Sequence, residues 1–242
     1  MDFTPLSNLS QPGPPESAAQ RRRILVWDAP TRVFHWLLAL CFAGAFLTAE
    51  SDGLRLVHVT LGYTMGALVG FRLVWGVVGS RYARFSNFMR GPRAVLGYLH
   101  SLTSGKPQHH LGHNPAGALA IAALLGLTVM VVATGWMHYA DIGGAWTEDV
   151  HEGLANAMLA LVLVHVAAVL ASSWLHRENL IGAMLHGHKT GAPDQGIGRP
   201  WRGVAAVLLV AVLGFWWWQA QTAPASGPLP AAAHGQDARH DD

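Results

Sequence analysis

Apolar and polar residues fall in long blocks along this chain, not at the short periods of a soluble domain. Five apolar blocks cover roughly 31–49, 54–78, 116–138, 150–174 and 203–219. Each approaches the roughly twenty residues an α-helix needs to cross the hydrocarbon layer of a bilayer. Between the second and third lies a polar stretch, 79–115, with an amphipathic piece near Pro92–Leu102. Between the fourth and fifth lies 176–202, rich in Gly, His and Pro. The pattern predicts an all-α integral membrane protein. A cytoplasmic tail covers 1–22, a transmembrane domain 23–190, a linker and fifth C-terminal transmembrane helix 191–220, and an outer-side tail 221–242. Both tails have the Pro-, Ser-, Ala- and Gly-rich composition expected of disordered segments.

Composition agrees with the pattern. Half of the 242 residues are apolar and only 12% are charged, against roughly 25% in soluble domains. The lone cysteine, Cys41, excludes an intrachain disulfide and the Cys-x-x-Cys-His attachment of a c-type haem. Within its apolar run it reads as a small buried side chain. Arg21-Arg22-Arg23 before an apolar run superficially resembles a signal peptide. The twenty preceding residues and the early His35-Trp36 favour a first spanning helix instead.

Charge placement orients the helices. With the N-terminus cytoplasmic, the inner connections carry thirteen cations: Arg21, Arg22, Arg23, Arg32, Arg81, Arg84, Arg90, Arg93, Lys106, Arg177, Lys189, Arg199 and Arg202. The outer ones carry two, Arg55 and Arg239, while Arg72 lies near the inner end of the second helix. That asymmetry is the positive-inside bias. It accounts for a pI near 9.0 without a nucleic-acid surface. Glu50, Asp52, Asp141, Glu148 and Asp149 fall outside, and Trp216-Trp217-Trp218 fits an outer aromatic belt. The expected location is an inner (plasma) membrane, crossed several times with the N-terminus cytoplasmic.

Four histidines then stand out: His35, His58, His151 and His165, all within or at the rim of apolar blocks. Polar ionisable side chains at membrane depth are costly and rarely lack a partner. His151 and His165 share one segment, fourteen residues apart. That is about 21 Å along a helix axis, and the two side chains return to within roughly 40° of one face. Two imidazoles on one metal have nitrogens about 4 Å apart, so these two cannot share an ion. Alternating helix direction puts His58 beside His151 near the outer face and His35 beside His165 near the inner face. Neither depth offers an acidic or thiolate ligand, as zinc sites often use. Two trans imidazoles suit a metal whose other positions are filled, which is haem. Without a thioether motif it is held non-covalently, so two b-type haems are expected. Bis-histidine ligation leaves no open position and favours electron transfer.

Other features have two readings each. Gly62, Gly66 and Gly70 recur at four-residue steps on the His58 face, for a macrocycle or for plain helix packing. Arg32, one turn before His35, suits a haem propionate or serves as a positive-inside anchor. Ala155, Met158 and Val162 fill the face between the two histidines of the fourth helix. His138 and His176 compete as outer and inner ligands from the helix rims. His109, His110 and His113, and likewise His186 and His188, read as solvated loop residues that could take a metal adventitiously.

The chain resembles the bacterial cytochrome b561 family, which includes the cytochrome b subunits of membrane-bound hydrogenases. The resemblance begins at Val26-Trp27-Asp28-Ala29-Pro30-Thr31-Arg32-Val33-Phe34-His35-Trp36. It continues through Leu56-Val57-His58-Val59-Thr60-Leu61-Gly62 and His151-Glu152-Gly153-Leu154-Ala155-Asn156. It ends with His165 and Arg177-Glu178-Asn179-Leu180-Ile181, covering about 24–190. The first motif is specific, and the others are weak singly but occur in order. The resemblance implies a four-helix bundle holding two haems on those same four histidines. The N-terminal tail and the fifth helix depart from the smallest four-helix members.

The expected function is a membrane dihaem cytochrome b moving electrons between an outer-face redox partner and the quinone pool. The partner expected is a cytochrome c, a hydrogenase or a dehydrogenase. No catalytic residue is assigned. One alternative is a stand-alone quinone-reactive oxidoreductase acting on a small oxidant such as superoxide. Another is a haem-free transporter or metal-binding membrane protein.

Overall fold

The computed structural model describes residues 22–89, 91–104 and 110–222. The tail expected over 1–22 lies outside the described residues through position 21, as does the outer-side tail from 223 onward.

The described chain opens with strand β1 (Arg22–Leu25), followed by helix α1 (Ala29–Thr48). Asp28 caps α1 by accepting a hydrogen bond from the Thr31 N–H at 2.8 Å, and Pro30 sits in the first turn, where no N–H is needed. Helix α2 (Arg55–Val78), the short α3 (Phe85–Phe88) and the amphipathic α4 (Pro92–Thr103) follow. Helix α5 (Pro115–Tyr139) has the same start chemistry: Asn114 accepts from the Gly117 N–H at 2.7 Å, with proline next in the chain. Helix α6 (Trp146–His176) is longer at both ends than the apolar block of its sequence. Glu148 and Asp149 in its first turn favour the positive helix terminus. Helix α7 (Leu180–His186) ends at Gly187, whose φ of 87° lies where an L side chain is strained. Strand β2 (His188–Gly191) and helix α8 (Arg202–Thr222) complete the described chain.

Five helices, α1, α2 with its leading turn, α5, α6 and α8, are long and apolar enough to cross a membrane. They agree with the five blocks read from the sequence. Helix α1 packs along α2, α5 along α6, and α2 against α5, while α8 lies on α1 and touches α2. The shared core holds Phe34, Cys41, Phe42, Met65, Leu68, Val131, Met158 and Val212. Cys41 is fully buried, as its apolar setting predicts. Leu47, Val77, Val210 and Trp217 face outward, as lipid-exposed positions do. Helix α6 is the least covered of the five and packs along α5 rather than along α1 or α2.

Three local readings change. The sequence shows no strand, yet β1 pairs antiparallel with β2, Arg22 opposite Gly191 and Leu25 opposite His188. The Val26 and Trp27 N–H groups donate to the Gly187 carbonyl at 2.8 and 3.0 Å, and Ile197 N–H donates to Leu25. Ile24, Val26, Trp27 and Ala183 form a second small core there, whose burial holds the pairing together. The tryptophan triplet is not a uniform belt. Trp216 turns inward and donates to Thr64 Oγ1 at 2.9 Å, one turn from Gln219, which donates to Thr60 Oγ1, while Trp217 and Trp218 face out. The glycine row also divides. A Cβ on Gly66 would stand 3.1 Å from Val132 of α5, so this glycine serves helix packing, whereas Gly62 and Gly70 have no atom within 4 Å.

Candidate functional site

His58, in the first turn of α2, donates its Nδ1–H to the Ala45 carbonyl of α1 at 2.8 Å. The acceptor is a carbonyl, so the nitrogen must be the donor, and the Nε2 lone pair is left for a metal. His151, near the start of α6, points its Nδ1 at the Val131 carbonyl of α5 at 3.0 Å, with Thr134 Oγ1 at 3.3 Å. The tautomer argument is the same. The two rings are 6.1 Å apart between centroids, with planes at 81°. Two imidazoles on one iron put their nitrogens about 4 Å apart and their ring centres about 6 Å apart. The His58–His151 pair therefore has a ring separation and Nδ1 hydrogen bonds compatible with two imidazoles on one metal.

Gly135 of α5 makes this approach possible. A Cβ there would stand 2.7 Å from His151 Cε1 and 3.0 Å from its Nδ1. Sequence reading missed it, because only the packing of α5 on α6 shows that this glycine faces a ring.

His35 lies two turns into α1, its ring edge-on to Trp36 at 5.1 Å. Trp36 Nε1 donates to Met184 of α7 at 3.3 Å. His165 of α6 lies within electrostatic range of His35. His35 Nδ1 is buried and makes no hydrogen bond among the described residues. Met158, between His151 and His165 along α6, belongs to the shared core, and its sulfur accepts from Thr128 Oγ1 at 3.7 Å. No three His, Cys, Asp or Glu side chains among the described residues converge on one metal-sized point. Two-ligand sites remain, and these fit a metal that brings four ligands of its own. Unpaired buried donors near His35, on Arg32, Arg72 and His113, fit a group that also carries acids.

The other candidates fall as follows. Arg32 donates Nη1–H to the Leu185 carbonyl at 2.6 Å, and its Nε is buried without a partner. His138 ends α5 within electrostatic range of His151. His176 sits in the last turn of α6. His186 and His188 stay together at the end of the bundle where α1 begins, the His188 Nδ1 within 2.8 Å of the His186 carbonyl. His109 lies outside the described residues. His113 contradicts the solvated-loop reading. Its ring packs against Trp27 and Phe88, at centroid distances of 4.6 and 4.5 Å, with Nδ1 buried. Burial, and then the cations Arg72 and Lys189, hold its pKa down to about 3, so the imidazole is neutral at pH 7.

Three more residues at this end carried little signal in the sequence. Arg72 of α2 is 3% exposed, donates Nη2–H to the Ala83 carbonyl at 3.0 Å and lies over the Phe85 ring. Trp75 donates Nε1–H to the capping carboxylate of Asp28 at 3.1 Å. Lys189, also buried, pairs with Glu178 at 3.0 Å and donates to the Leu111 carbonyl. A buried arginine in a spanning helix was the one available hint.

A helical membrane bundle that brings histidines of different helices together, with no thioether attachment motif, has the build of a b-type membrane cytochrome. The family model for prokaryotic cytochrome b561 matches residues 26–187. The chain belongs to that family, and so is a multi-pass membrane protein that holds haem b. Among curated relatives, a protein of Rhodobacter capsulatus named as a probable Ni/Fe-hydrogenase B-type cytochrome subunit is 24% identical, over 74% of this chain and 86% of its own. A protein of the same name from Azotobacter chroococcum is 26% identical, over 74% of this chain and 94% of its own. The Escherichia coli K12 relative, named as a probable Ni/Fe-hydrogenase 1 B-type cytochrome subunit, is 22% identical, over 68% of this chain and 90% of its own. No solved structure matches the chain at a significant level.

Proposed function

We propose that this chain is a dihaem electron relay, with the outer haem held by His58 and His151 and the inner haem by His35 and His165. The reading rests on one observation above all: the 6.1 Å approach of His58 and His151 with both Nδ1 atoms directed at backbone carbonyls. Haem b supplies one-electron iron chemistry when bound. The protein's part is to hold, orient and insulate. The Ala45 and Val131 carbonyls fix ring orientation and raise the basicity of each Nε2. Helix α6 sets the spacing of the two layers, about 21 Å along its axis for fourteen residues. Met158 and its apolar neighbours keep water from the space between. Arg32 is proposed to face an inner-haem propionate with its free Nε. The N-terminus is placed on the cytoplasmic side by the distribution of Lys and Arg.

Electrons pass between an outer-face redox partner and the quinone pool. The names of the relatives make a hydrogenase the first partner to test. The purified chain should give a b-type pyridine haemochrome at two haems per polypeptide and two redox components on potentiometric titration. One haem per chain, or a c-type haemochrome, overturns this reading. Reduction by a hydrogenase in quinone-containing vesicles tests the direction and the partner together.

A further inference from the structure

The buried side-chain nitrogens and oxygens without a hydrogen-bond partner among the described residues gather at one end of the bundle. They belong to Thr31, Arg32, His35, Arg72, Ser80 and His113. Arg72 is the most telling. It is almost fully buried in a spanning helix, uses Nη2 on Ala83 and leaves Nη1 buried and unpaired. An arginine cannot relieve this by losing its proton, and leaving a charged donor unmet is expensive. His113 reaches the same region from the segment before α5, held between two aromatic rings with Nδ1 inward. It lies within electrostatic range of Arg72, His35 and His165.

We infer that Arg72 and His113 are the receptor for the propionate carboxylates of the inner haem: Nη1–H of Arg72 as the ionic partner and Nδ1–H of His113 as a neutral donor. The inference rests on the dihaem reading above. A haem held by His35 and His165 would lie at the end of the bundle where the unpaired nitrogens of Arg72 and His113 are, and these could then receive its acids. Charge agrees. Arg32 and Arg72 face one carboxylate, Asp28, which already accepts from Thr31 and Trp75. The Lys189–Glu178 pair cancels itself. Arg202 also lies in electrostatic range of Arg32, so positive charge is left in excess. A ferric haem b with both acids ionised carries one net negative charge, which would offset part of it.

A quinone headgroup is the rival occupant. It offers two neutral carbonyls and would leave the arginine charge unbalanced.

Arg72→Lys, Arg72→Gln and His113→Phe in the full chain with its haems separate these cases. Phenylalanine keeps the ring between Trp27 and Phe88 while removing the donor. The readouts are the two midpoint potentials and the carboxylate bands of the redox infrared difference spectrum. A cation beside the inner haem favours the reduced form. Arg72→Gln is therefore expected to lower the inner midpoint by at least a tenfold change in the oxidised-to-reduced ratio, about 59 mV for one electron. The outer midpoint should stay in place. Arg72→Lys should restore most of the shift, and the propionate bands should move in Arg72→Gln and His113→Phe. Selective loss of the inner haem in Arg72→Gln but not in Arg72→Lys supports the inference equally. An unchanged inner midpoint with unchanged carboxylate bands overturns it. So does equal loss of both haems in the two arginine variants, or a change confined to quinone reduction. If wild type lacks two haems, the relay reading itself has failed, and that result is distinct.

Discussion

His58 and His151 meet across the bundle at 6.1 Å, and each is steered by the helix next to its own: His58 of α2 by Ala45 of α1, His151 of α6 by Val131 of α5. Neither ring is aimed by its own backbone alone. The outer pair therefore depends on two helix–helix contacts at once. Removing a ligand and shifting a steering helix should produce the same spectral loss.

The pairing itself is the first prediction. His58→Ala and His151→Ala should remove the same haem component and keep the other. His35→Ala and His165→Ala should do the reverse. Low-temperature difference spectra read the outcome directly. If His35→Ala and His151→Ala abolish the same component, the depth assignment is wrong.

Gly135→Ala should act on the outer haem without replacing any ligand. The added Cβ falls 2.7 Å from His151 Cε1, too close for the ring to remain where it is. The outer component should shift in potential or be lost, with the inner one intact. Gly126→Ala, on the same helix but with open space around its added carbon, is the matching control for fold. Equal spectra for Gly135→Ala and wild type would place His151 elsewhere.

Asp28 ties two elements, capping α1 and accepting from Trp75 of α2. Asp28→Ala removes a cap worth about 1 kcal/mol and strands a buried indole N–H, at a further cost of about 1–3 kcal/mol. Thermal unfolding in detergent should show a loss of roughly that sum. Asp28→Asn, which keeps one acceptor oxygen for the Thr31 N–H but turns an amide NH2 toward Trp75 Nε1, should recover only the capping part of it.

His113 contributes a pH dependence of defined sign. Its pKa falls from 6.5 to about 3 on folding, by burial first and by Arg72 and Lys189 next. The unfolded chain therefore binds the extra proton between those values. Stability is fully present above about 6.5 and falls as pH drops toward 3, by up to about 1.4 kcal/mol per unit from this group. The wild-type slope below pH 6.5 should exceed that of His113→Phe. Parallel slopes would mean that His113 is solvated.

The five spanning helices were legible because a bilayer imposes one long, crude requirement: about twenty apolar residues per crossing. The four histidines were legible for a related reason. Each interrupts a stretch where polarity is costly, and helical rise converts residue number into depth. Neither argument needs to know which helices touch.

What escaped the sequence depends on contact. The pairing of Arg22–Leu25 with His188–Gly191 joins segments separated by nearly the whole transmembrane domain, and four-residue strands carry too little periodicity to be seen. His113 looks like any loop histidine until Trp27 and Phe88 close over it. Gly135 looks like any small residue in an apolar helix until α6 presents a ring to it. By itself the sequence determined which five segments are long and apolar enough to cross a membrane and how far apart along a helix its histidines stand, since hydrophobic length and helical rise are local. The tertiary structure alone decided which carbonyl orients each imidazole, and which charges end up buried at the inner end. Those outcomes belong to the packing of one helix on another, and no single segment encodes them.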